Sequence, residues 1–60
     1  METIKPLYKY RAMVAHDGGI KAIQLVAYSK VDAAARVMAH ELCPASAILT
    51  VNKLSARRIN

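Results

Sequence analysis

A chain of 60 residues builds one small domain and no more, and a domain of that size hides only about 60% of the surface its unfolded form exposes. A single cysteine excludes an internal disulfide, and two histidines with that one cysteine are too few ligands for a structural zinc site. Nine Lys and Arg against four Asp and Glu leave a net charge of +5, a bias that suits nucleic acid or an acidic protein surface and that also serves solubility.

The apolar material is thin. Eleven of the apolar residues are alanine, Trp and Phe are absent, and the core must come from five Leu, five Ile, five Val, three Met and three Tyr. That supports a monomer only marginally, so a partner surface is expected, most simply a second copy of the chain in a homodimer. The lone Cys43 fits a reducing, cytoplasmic setting. The segment Met1–Pro6 carries an early acid and no apolar stretch of the signal-peptide kind. No apolar run approaches the roughly 18 residues of a membrane span, so no membrane partner is expected.

Residues 1–60 read as one domain, with 1–6 a loose arm closed by Pro6 and 55–60 a basic tail. Leu7 to Ala15 alternates as a half-buried strand does, with Tyr8, Tyr10, Ala12 and Val14 on one side and Lys9 and Arg11 on the other. Asp17-Gly18 has the chemistry of a tight hairpin turn, and Ile20 to Tyr28 is the second strand. With Asp17-Gly18 as the turn, Ala12 lies opposite Ile23 and Tyr10 opposite Leu25. With Gly18-Gly19 instead, Val14 meets Ile23 and Ala12 meets Leu25. Both registers put Ile23, Leu25 and Ala27 on the inner face, whereas a three-residue loop would reverse it.

Ser29 is a good N-cap, and Asp32 stands three residues on, as in a capping box and near the positive end of the helix dipole. The helix is expected from Lys30 to Leu42, stopping before Pro44. Val31, Ala34, Ala35, Met38 and Leu42 form one stripe at spacings of three and four, opposite Asp32, Arg36 and His40. Ala47 to Leu54 reads as a third strand with Leu49 and Val51 inward and Thr50 and Asn52 outward. The fold class is α+β, a ββαβ unit. A right-handed crossover delivers strand three parallel to strand two, and the economical arrangement sets it beside strand one, giving an antiparallel sheet of order 2-1-3 with the helix on one face. Pairing of strand three with a neighbouring chain stays open.

The other sheet face is then uncovered. It is expected to carry Lys9, Arg11, Met13, Ile20, Ala22, Gln24, Val26 and Tyr28, with Ile48, Thr50 and Asn52 from strand three. A homodimer could hide its apolar part, Met13, Val26 and Ile48. As a platform, Tyr28 would stack a base while Lys9 and Arg11 meet phosphates. Lys5 in the arm, with Lys53, Arg57 and Arg58 in the tail, forms a second basic cluster at the ends.

No enzyme chemistry is expected. His16 and Asp17 are explained by the hairpin tip. His40 reads as a solvated helix residue, and Cys43 lies at the negative end of the helix dipole, where its thiolate gains nothing. Asp32 and Glu41 are nine residues apart on a helix and cannot form a close carboxylate pair. Gly18-Gly19 is a turn and not a phosphate loop, and no cofactor or metal is implied.

A short, basic, cysteine-poor chain resembles the accessory proteins of phages and mobile elements. The sequence therefore predicts a non-enzymatic binding protein that contacts nucleic acid, DNA or RNA, through Lys9, Arg11, Tyr28, Lys53, Arg57 and Arg58. The alternative is a protein-interaction module, an inhibitor or adaptor of a host or regulatory protein. It would act through the apolar part of the open face or a strand edge.

Overall fold

The computed structural model describes residues 5–16 and 18–60. The chain runs β1 (Tyr8–His16), β2 (Gly19–Ala27), α1 (Lys30–Glu41), a single 3-10 turn (Ala45–Ala47) and β3 (Ile48–Lys53). The strands make one antiparallel sheet in the order β2-β1-β3, with α1 packed on one face. The architecture is the small α+β unit expected from the pattern, with each boundary within one residue of the sequence reading.

β1 and β2 pair without interruption from Tyr8 with Ala27 to His16 with Gly19. This is the register that belongs to an Asp17-Gly18 turn. Asp17 itself lies outside the described residues, and Gly18 adopts a φ of +77°, which side chains with a Cβ avoid. The even positions of β1 point inward: Tyr10, Ala12 and Val14 are buried, with Ile23 and Leu25 half-buried across from them and Ala27 buried at the end of β2.

The helix opens as its sequence demands. Ser29 is extended at φ −159°, its hydroxyl accepts the amide of Asp32 at 3.0 Å, and its carbonyl accepts the amide of Ala33 at 2.8 Å. The helix lies rotated from the expected stripe. Ala33 and Val37 are buried and Ala34 and Met38 half-buried, whereas Val31 is 80% and Leu42 85% exposed. With so many alanines on the helix, several faces are almost equally apolar. The sheet selects the one with the small Ala33 over Tyr10 and Ala27, which permits close approach. The helix ends at Glu41. Leu42 takes the left-handed conformation at φ +54°, and the Cys43 amide returns to the Met38 carbonyl at 3.3 Å.

β3 reverses two expected positions. Met13 pairs with Thr50 but Val14 pairs with Ile48, so Leu49 is an extra residue in the ladder. That bulge turns Ile48 inward, where it packs on the core of Ala12, Val14 and Val37, and leaves Leu49 52% exposed. Ile48 is therefore a core residue and not part of an apolar outer patch. Val51 faces inward, and Thr50 and Asn52 stay exposed, as expected.

The C-terminal residues are tied down instead of forming a free tail. The Leu54 amide donates to the Lys9 carbonyl at 2.9 Å and the Ile59 amide to the Leu7 carbonyl at 2.7 Å. Asn60 completes the strap: its side-chain amide donates to the Lys5 carbonyl at 3.0 Å and its carbonyl accepts the Leu7 amide at 2.9 Å. The segment leading into β1 runs past β3 with backbone groups that need partners, and an Asn side chain offers both a donor and an acceptor. Of the expected loose arm, residues 1–4 lie outside the described residues.

Candidate polyanion-binding face

Lys9, Arg11 and Met13 are alternate residues on the outer face of β1, the central strand, so each sits in a row that spans the sheet. Val26 stands opposite Lys9, Met13 stands between Ala22 and Thr50, and Arg11 stands between Gln24 and Asn52. The middle row is a guanidinium flanked by two carboxamides, all exposed. These are groups that donate to phosphate and sugar oxygens.

The strap adds to this face. Between Leu54, bonded to Lys9, and Ile59, bonded to Leu7, residues 55–58 leave the ladder as a short loop. Ser55 shapes it by accepting the Arg57 amide on its hydroxyl at 3.1 Å, a serine turn that the dense local hydrogen bonding of Ser could have signalled. Lys9, Ser55, Arg57, Arg58 and Ile59 line one concavity of about 430 Å³. Residues 48 positions apart in sequence are thus gathered into one basic pocket.

Charge is segregated by face. Asp32 holds Arg36 at 2.9 Å, and Glu41 holds Lys21 and contacts His40, all on the helix side. The Asp32 carboxyl is held below its ordinary value first by the Tyr28 amide and then by Arg36, and Glu41 is held down first by Lys21 and then by His40. Among the described residues no carboxylate pairs with Lys9, Arg11, Arg57 or Arg58.

Tyr28, expected on this face, and Lys53, expected beside Arg57 and Arg58, are elsewhere. Lys53 pairs with Tyr10 on the helix side, and its ammonium lies 3.9 Å from the centre of the Tyr8 ring. Tyr28 lies just past β2 with its ring 5.5 Å from the Arg36 guanidinium and 5.8 Å from the Lys5 ammonium. It is bracketed by cations instead of being offered to a base beside Lys9 and Arg11. Met13 is half-buried and Val26 exposed on the open face, without Ile48.

Among the described residues no group of three or more His, Cys, Asp or Glu side chains could hold a metal, and no helix is long and apolar enough to cross a membrane. Cys43 is a buried free thiol that packs with Val37 and Ala47. No protein-family model, curated protein or solved structure matches this chain.

Proposed function

We propose that this chain is a non-enzymatic nucleic-acid-binding protein that grips the sugar–phosphate backbone with Lys9 and Arg11 on the sheet and Arg57 and Arg58 on the adjoining loop. The single observation that carries the reading is the convergence of Lys9, Arg57 and Arg58 on one concavity while the described carboxylates are held on the helix side. A cation cluster that no described carboxylate neutralises gains most from a polyanion, because binding releases the polyanion's condensed counterions. All three tyrosines are engaged elsewhere: Tyr8 and Tyr10 pack on the helix side, and Tyr28 is held by Arg36 and Lys5. The reading is therefore one of backbone contact with little sequence preference, in place of base stacking.

The test is fluorescence anisotropy with labelled single- and double-stranded DNA and RNA across a salt series. Binding that weakens steeply with salt and varies little with sequence supports the reading. Absence of binding at low salt refutes it and leaves the charge to solubility or to a protein partner.

A further inference from the structure

β2 is an open edge of the sheet. We propose that two copies of this chain associate by antiparallel pairing of β2 with β2 about a two-fold axis at Ile23, which joins the two sheets into one of six strands. The two edges of the sheet differ in a telling way. The β3 edge is six residues long, is broken by the bulge at Leu49 and runs on into a loop. The β2 edge is nine residues long, unbulged, free of proline and charged only at Lys21. Long regular apolar edges are the ones that accept another strand, and bulges are a common means of preventing it.

The occupant is identified by self-complementarity. Ile23 is the midpoint of Gly19–Ala27, so pairing centred there engages the strand over its full length. Ile20 and Val26, the exposed large apolar residues of β2 at 65% and 36%, stand three places on either side of Ile23. Each therefore meets the other's counterpart on the open face, twice by symmetry. On the helix side Ile23 meets its own copy, and Leu25 meets the aliphatic stem of Lys21, whose ammonium reaches Glu41. A register centred on Lys21 would oppose like charges, and one centred on Leu25 would leave Ile20 unpaired. The flank also fits. A concavity of about 280 Å³ between β2 and α1 is lined by Ile23, Leu25 and Val37 with Arg36, His40 and Glu41. The same axis sets the two helices antiparallel, with Arg36 of one toward the Glu41 end of the other. Finally, four of the eight buried core residues are alanine and the largest fully buried side chains are Val14 and Val37, a core that gains from a second copy.

This proposal is independent of the polyanion reading and is tested without nucleic acid. Analytical ultracentrifugation of the full chain should show a concentration-dependent dimer. Ile20→Glu with Val26→Glu places like charges across both outer pairs and should weaken the dimer by about tenfold or more. Ile20→Lys with Val26→Glu places opposite charges there and should restore it, with circular dichroism confirming the fold of each variant. Hydrogen exchange of the unmodified chain should show protection of β2 amides that grows with protein concentration. A chain that stays monomeric at every concentration, a dimer indifferent to the double-acid change, or β2 protection independent of concentration would each overturn the proposal.

Discussion

The carboxylate of Asp32 accepts the backbone amide of Tyr28 at 2.9 Å, so the first turn of α1 is bonded to the residue that leaves β2. A capping box ordinarily returns to the N-cap amide itself. Here the acid reaches one residue further back, and the same oxygen also holds the Arg36 Nε at 2.9 Å. The joint between strand and helix is thereby closed from both sides, since the Ser29 hydroxyl takes the Asp32 amide in return. Ser29→Ala should cost about 1 kcal/mol, as N-cap losses do, which for a domain of this size lowers the melting temperature by about 6 °C. Thermal unfolding followed by circular dichroism checks it, and an unchanged midpoint would count against the cap.

The two helix carboxylates set an acid limit on stability. Both Asp32 and Glu41 are held below their ordinary values of 3.8 and 4.5 in the folded chain. A depressed carboxylate binds its proton more readily in the unfolded chain, so the stabilisation is fully present above the ordinary value and is lost as pH falls through the folded one. Urea unfolding should therefore give a stability that declines on acidification below about pH 4.5. Asp32→Asn combined with Glu41→Gln should be less stable at neutral pH and should show a shallower acid decline. An equally steep decline in that variant would place the acid sensitivity elsewhere.

Leu42 occupies a position made for glycine. It is left-handed at φ +54° and 85% exposed, so its side chain carries backbone strain with little packing in return. Leu42→Gly should stabilise the protein by about 1 kcal/mol, read as a higher urea midpoint with an unchanged slope.

The bulge in β3 separates two adjacent residues by function. Ile48 packs on the core and Leu49 is turned outward. Ile48→Ala should cost about 2 kcal/mol, and Leu49→Ala about 0.5 kcal/mol or less. Equal costs, or the reverse order, would show that β3 pairs without the bulge.

The basic residues divide by face as well. Lys9→Ala with Arg11→Ala, and separately Arg57→Ala with Arg58→Ala, should each weaken nucleic-acid binding and reduce the salt slope by about 2. Lys53→Ala should leave that slope unchanged, because its ammonium is seated on Tyr8. A Lys53 effect as large as that of Lys9 and Arg11 would extend the binding surface to the helix side.

The sequence by itself determined the two strands, the turn and the helix start. Alternation at Tyr10, Ala12 and Val14, the turn glycine Gly18 and the Ser29–Asp32 spacing are local signals, and each is satisfied within a few residues. The order 2-1-3 followed from the economical placement of strand three beside strand one, antiparallel to it. Only the tertiary structure decided which face of an alanine-rich helix is buried, because Ala33 and Val37 compete with Ala34 and Met38 on nearly equal terms until a sheet is present. It likewise decided the Leu49 bulge, since an inserted residue leaves no mark on a six-residue apolar–polar pattern. The basic concavity was the least legible feature. Lys9 and Arg57 meet only because Ile59 returns to Leu7 and Asn60 to Lys5, hydrogen bonds between the two ends of the chain that no local spacing encodes.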